Sequence, residues 1–275
     1  MKFGICCAPG ALGDTIEGLN LLAEAGADYV EWGVSSIMAS DAEFESLRAA
    51  VAGAPIQAEA FNGFLPAHHR ITGPNVDLDA VLTYASEAMR RVQILGGDIV
   101  VLGSGGARKV PEDFDKTRAL EQFNQFCREL GPRAQEAGIT IAVEPLNSRE
   151  DNLINSVAQG AHIVDEVAHP HIQLLADFYH MFEDREPTQN AADAEKRLQH
   201  THLADLGRLA PGFAEGEADF VGFFSALRAA GYDKRCSFEG KTHDLASQAA
   251  PLLATMRARY ASAQEGEKGR RGEGE

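Results

Sequence analysis

The stretch QEAGITIAVE, residues 135–144, decides the fold. A polar helical run stops at Gly138, and Ile139, Ile141, Ala142 and Val143 then read as a strand that ends in Glu144. The same phrase recurs as AEAGADYVE (23–31) and RAAGYDKRCSFE (228–239). Each is a helix, a glycine suited to the left-handed terminating position, and a short link into a strand. Working outward, strand-like runs occur at FGICC (3–7), YVEWG (29–33), IQAEAFNG (56–63), DIVVLGSGG (98–106), TIAVEPLN (140–147), IQLLADFYHM (172–181), LQHTHLAD (198–205) and CSFEG (236–240). Amphipathic helical spacing fills the gaps, as in TIEGLNLLAEAGA, where Ile16, Leu19, Leu22 and Ala23 share a face. Strands alternating with helices indicate a parallel sheet, and eight of them close a barrel. The expectation is an α/β fold, a (β/α)8 TIM barrel in a single catalytic domain over residues 1–262. A doubly wound open sheet is the competing architecture. It would carry a glycine-rich turn after its first strand, and CCAPGALGD lacks that spacing. The closing residues 263–275 are charged, glycine-rich and without an apolar face, so a disordered tail is expected there.

Composition narrows the function. The chain has 275 residues, 44% of them hydrophobic and 24% charged, with a formal net charge of −16. That charge opposes a phosphate backbone, so no nucleic-acid partner is expected. No run approaches the length of a membrane span, and MKFGICCAPG lacks the apolar core of a signal peptide. Cys6, Cys7, Cys127 and Cys236 are too few for a disulfide framework in so long a chain. A cytoplasmic protein with reduced cysteines and no membrane partner is the expectation.

Glu144 poses the chemical question, because ionised carboxylates are rarely buried unless paired or bound to a metal. It has companions at the ends of the next three strands: Asp177 in LLADFYHM, His202 in QHTHLAD and Glu239 in CSFEGK. Successive members lie about one strand–helix unit apart, and a barrel builds its active site at the C-terminal ends of its strands. One carboxylate after a strand is ordinarily a helix cap, and Glu31 and Glu59 also interrupt strands as salt-bridge candidates. Three converging carboxylates and an imidazole instead suit a hard divalent cation, Mn²⁺, Mg²⁺ or Co²⁺. His200 competes with His202, since residues two apart on a strand share a face. The pattern leaves that choice open.

The segments VEPLNSRE, ADFYHM, HTHLADLGR and SFEGK resemble the motifs of the xylose-isomerase-like TIM-barrel sugar isomerases and epimerases. The similarity is greatest to the branch holding ketose 3-epimerases and hydroxypyruvate isomerase, and it covers strands five to eight. It implies an isomerase of carbohydrate metabolism, either an epimerase or an aldose–ketose isomerase. Such an enzyme would act on a ketose or a related small hydroxy-carbonyl compound through a metal-stabilised enediolate. It implies Glu144, Asp177, His202 and Glu239 as metal ligands, with Glu144 and Glu239 also the catalytic acid/base pair. Arg208 falls six residues after the second histidine of HTH, which selects His202. Arg208, Glu150 and His180 match substrate-binding positions. Asp205 departs from the glutamate usual there, and SFEGK departs from the usual MEPF ending. An inosose-type dehydratase and a hydroxypyruvate isomerase are the alternatives within enzymes. A DNA-repair endonuclease-like barrel and a non-catalytic sugar-binding barrel lie further off. The partner is a small-molecule sugar, and assembly as a homo-dimer or homo-tetramer stays open.

Three further stretches carry weaker signals. LPAHHRITGP, with His68, His69 and Arg70, is a lid candidate or a solvated loop. GSGGARK has backbone donors and a lysine for a phosphate, or glycines serving a turn. Trp32 and Phe61 either wall the sugar pocket or pack in the core.

Overall fold

The computed structural model describes residues 1–216 and 218–272, with residues 266–272 described by backbone alone. Eight parallel strands close into a barrel in sequence order: β1 Lys2–Cys6, β2 Tyr29–Gly33, β3 Ala58–Asn62, β4 Ile99–Leu102, β5 Thr140–Val143, β6 Ile172–Asp177, β7 Leu198–Leu203 and β8 Arg235–Phe238. The ring shuts where Phe3 and Gly4 of β1 pair with Cys236 and Ser237 of β8. The expected TIM barrel is therefore present, and the open sheet is excluded.

Local chemistry explains the alternation. Helices start on side-chain caps: Asp14 accepts from the Ile16 and Glu17 amides, and Ser40 and Glu43 form a reciprocal capping box. The three helix-to-strand phrases end as expected, with Gly26, Gly138 and Gly231 at φ 97°, 67° and 72°. A β-carbon would strain that left-handed turn. Apolar residues then sort into two layers. Tyr29, Ala60, Ile99, Val101, Ala142 and Leu175 form a small cluster apart from the main core, which joins the barrel to its helices. Trp32 and Phe61 belong to that main core and meet edge to face at 6.3 Å.

The strands are shorter than their sequence runs. IQLLADFYHM stops being strand at Asp177, whose carboxylate caps the helix Phe178–Glu183. The apolar FYHM run satisfies helix periodicity as well as strand, and the cap decides. At the other end, the last helix spans Leu245–Gly272 and Ala263 is buried, so helix continues past residue 262. Residues 273–275 of the expected tail lie outside the described residues. Among the described residues, no helix is long and apolar enough to cross a membrane.

Candidate metal centre

Four strand ends converge at the C-terminal mouth of the barrel. Glu144 and Glu239 each sit one residue past a strand, Asp177 is the last residue of β6, and His202 is the penultimate residue of β7. One ligand atom from each of Glu144, Asp177, His202 and Glu239 lies within 4.8 Å of all the others. His202 Nδ1 is 3.2 Å from Glu144, 3.9 Å from Glu239 and 4.0 Å from Asp177. His202, Asp177 and Glu144 are buried, whereas the Glu239 side chain is 22% exposed. His200 faces the same interior but lies deeper, and its Nε2 meets Glu31 at 2.7 Å.

The donor set fits a divalent cation. Asp177 uses Oδ1 to cap the Tyr179 amide at 2.7 Å, while its buried Oδ2 has no hydrogen-bond partner. The helix-cap and metal-ligand readings of this residue are thus compatible, one oxygen serving each. Five carboxylates gather here (Glu31, Glu144, Glu150, Asp177, Glu239) against Arg208 and, when doubly protonated, His202. Two like charges 4 Å apart repel by about 4 kcal/mol at an effective dielectric near 20. Hard oxygen ligands with one imidazole match Mn²⁺, Mg²⁺ or Co²⁺.

Electrostatics separate the two glutamates. Burial pushes Glu144 up, but the hydrogen bond and charge of His202, with the more distant charge of Arg108, outweigh it and hold the carboxyl low. Burial raises Glu239 to about 7, reinforced by Glu144 and Asp177 and opposed by His202 and Arg208. Burial alone would lower His202, yet Glu31, Glu144 and Glu239 hold it well above the ordinary imidazole range. Two carboxyls at one site with opposed proton affinities can divide acid and base roles.

The remaining expected residues form a rim. Arg208 donates to Glu239 Oε2 at 2.6 Å and to Glu150 at 3.3 Å, and its guanidinium lies 5.0 Å from the Tyr179 ring centroid. Arg208 adopts φ 63°, a conformation uncommon outside glycine. Asp205 holds that loop by accepting from the backbone amides of Leu206, Gly212 and Ala218. His180 Nδ1 lies 2.8 Å from the Asn147 side-chain nitrogen and 3.2 Å from the Asn147 amide, so it acts as the acceptor. The ring proton then sits on Nε2, which has no partner and lies 3.6 Å from Asp177 Oδ2. The structure brings Glu150, His180 and Arg208 together with the four-residue cluster.

Sequence reasoning passed over Asn62, Asn147, Tyr179 and the buried Arg108–Asp151 pair. Asn62 donates to Glu239 at 3.3 Å, and Arg108 binds Asp151 at 2.8 Å, tying the loop after β4 to the loop carrying Glu150. Amides and loop arginines follow no spacing rule, so no signal singled them out. Glu59 pairs with Lys2 and Arg235, in keeping with a structural salt bridge. In GSGGARK, Arg108 is committed to Asp151, and Arg70 donates to the Gly106 and Lys109 carbonyls. The His68 and His69 rings are tilted by 39° with centroids 4.4 Å apart, and His69 is tilted by 36° against Tyr84 at 4.5 Å.

Known proteins resemble the chain at two levels. A family model described as xylose isomerase-like TIM barrel matches residues 19–260. The 3-dehydro-D-guloside 4-epimerase of Escherichia coli (strain K12) is 34% identical over 132 residues, 48% of this chain and 49% of that protein. The D-psicose 3-epimerase of Enterocloster bolteae is 29% identical over 160 residues, 55% of this chain and 50% of that protein. The chain thus spans about half the length of these curated relatives. The crystal structure of a D-psicose 3-epimerase with D-tagatose, from Clostridium cellulolyticum H10, superposes with a TM-score of 0.83. It covers 94% of this chain and 99% of that one at 21% identity, a likeness of fold.

Proposed function

The chain belongs to the xylose isomerase-like TIM-barrel family, and from that premise we propose that it epimerises or isomerises a ketose or related hydroxy-carbonyl sugar. The reaction removes a proton from the carbon beside a carbonyl, and Glu144, Asp177, His202 and Glu239 hold a divalent ion, Mn²⁺, Mg²⁺ or Co²⁺. The observation that carries this reading is the convergence of three carboxylates and one imidazole from four consecutive strand ends. Relatives named for psicose 3-epimerisation and 3-dehydro-guloside 4-epimerisation support it, because in both the inverted carbon adjoins a ketone.

When bound, the ion supplies Lewis-acid stabilisation of the charge that develops on the carbonyl oxygen. Glu144 takes the proton, and Glu239, on the next-but-two strand of the same mouth, returns one. Return to the same carbon from the opposite face gives an epimer, and return to the neighbouring carbon gives an aldose–ketose pair. His180 Nε2–H donates to a substrate oxygen, Arg208 holds a second, and Glu150 accepts from a hydroxyl while fixing Arg208. The buried floor of the site limits competing water.

Mn²⁺-loaded protein should be assayed against free ketoses, 3-keto-glycosides, hydroxypyruvate and inososes, with products resolved by NMR. Inversion beside the ketone is the expected result. Loss of water from an inosose would instead identify a dehydratase, and no turnover of any of these compounds would overturn the enzymatic reading.

A further inference from the structure

Beneath the four converging residues lies a second set of buried polar contacts that the reaction does not use directly. Glu31, on β2, is fully buried and reaches across the barrel to β7 and β8. Its Oε1 lies 2.9 Å from His202 Nε2, and its Oε2 lies 2.7 Å from His200 Nε2 and 2.6 Å from Ser237 Oγ. Ser237 gives its one hydroxyl proton to Glu31, so Tyr29 OH, 2.7 Å away, donates to Ser237. All the donors therefore point toward this carboxylate. An ionised carboxylate only accepts, so both imidazoles must carry their protons on Nε2. The two rings stand 84° apart, and only His202 presents its other nitrogen to Glu144, Asp177 and Glu239.

We propose that Glu31 is a positioning residue for the divalent ion. By accepting Nε2–H of His202 it fixes the tautomer and ring plane that leave the Nδ1 lone pair facing Glu144, Asp177 and Glu239. This rests on the metal reading given above. A carboxylate behind a ligating histidine orients the ring and raises its basicity. The alternative use of these atoms is a separate ion site, since Cys6, Glu31 and His202 also offer ligand atoms within 4.8 Å of one another. Both Glu31 oxygens already accept short bonds from N–H and O–H donors, which favours hydrogen bonding over ligation.

Glu31→Gln distinguishes these ideas because the amide has one acceptor and one donor end. Two donors meet Oε2 and one meets Oε1, so the amide oxygen belongs on the His200 and Ser237 side. The NH₂ then faces His202 Nε2, which must become an acceptor, and the ring proton moves to Nδ1. A proton on Nδ1 blocks ligation. Metal-stripped full-length wild type and Glu31→Gln would be titrated with Mn²⁺ by calorimetry, with circular dichroism checking the fold. Glu31→Gln should bind about 10–100-fold more weakly. Imidazole ¹⁵N shifts of wild type saturated with diamagnetic Mg²⁺ should show His202 Nε2 protonated, a measurement that holds even if the variant fails to fold. Equal Mn²⁺ affinity in both proteins, or an unprotonated His202 Nε2 in the wild type, would overturn the role of Glu31 alone. Wild type that binds no divalent ion would bring down the metal reading itself. Two ions per wild-type chain, reduced to one by Cys6→Ser, would overturn positioning in favour of ligation.

Discussion

A methyl group on the α-carbon of Gly103 would overlap a carboxylate oxygen of Glu144. The two residues follow the paired ends of β4 and β5, where Leu102 lies opposite Val143. Gly103 does not have a positive φ, so alanine meets no backbone strain and the clash acts alone. Gly103→Ala should therefore push Glu144 from its seat while leaving the barrel folded, at an overpacking cost of about 1–3 kcal/mol. The check is Mn²⁺ affinity and turnover beside a melting curve. Unchanged affinity and turnover would mean that Gly103 does not set the position of Glu144.

That contact also shows how far the sequence could be read. The βα rhythm alone placed Glu144, Asp177, Glu239 and one histidine of HTH at successive strand ends, because a barrel converts position along the repeat into position around the mouth, and the family motifs chose His202 over His200. Arg208 and His180 needed the family motifs. Glu31 was visible as a salt-bridge candidate, but its partners His200 and His202 lie five strands further along the chain, and no local spacing encodes that pairing. Gly103 was hidden for a different reason. A glycine after a strand reads as turn chemistry, and only the neighbouring strand shows that its missing side chain makes room for a carboxylate.

The two histidines of HTH should behave differently. His202→Asn should lose most of its divalent ion, whereas His200→Asn, whose ring meets Glu31 and not the carboxylate cluster, should keep it. Metal analysis of both purified variants decides between them. Wild type should also gain thermal stability with added Mn²⁺, by about 2.7 kcal/mol at a hundredfold excess over Kd, since only the native state assembles the cluster. The reverse occupancy pattern would show that the register of β7 has been read wrongly.

Acid sensitivity should have a component remote from the site. Hydrogen bonds from Arg90, and from Arg91 against the opposing effect of partial burial, hold Glu87 down at about 2. Arg91 also donates to the Ile37 and Ala39 carbonyls and to Asp41, joining its helix to the segment after β2. A carboxyl lowered on folding contributes stability that is present above its unfolded value of 4.5 and lost as pH falls toward 2. Glu87→Gln should thus lower the melting temperature at pH 7 and flatten its fall below pH 4.5. Because Glu87 is about one-third exposed, solvent screening keeps the effect modest. Parallel melting curves for variant and wild type across that range would contradict this account.

The strongest functional contrast lies between the two glutamates and their amides. Glu144→Gln keeps the shape of the side chain and one oxygen for the ion but removes the basicity, so turnover should fall more than metal binding does. A loss of about 10²–10⁴ in kcat is the usual worth of a positioned acid or base. Glu239→Gln should fall similarly, and it should also loosen Arg208, which donates to Glu239 at 2.6 Å, so KM should rise in this variant. In D₂O, wild type should place deuterium at the carbon beside the ketone, and with either glutamate changed that label should appear far more slowly. Measuring kcat, KM, metal content and deuterium together separates the roles, because a residue that only holds the ion would lose activity in proportion to metal. Glu144→Gln with full metal and near-normal turnover would remove Glu144 from the proton path and leave it as a ligand.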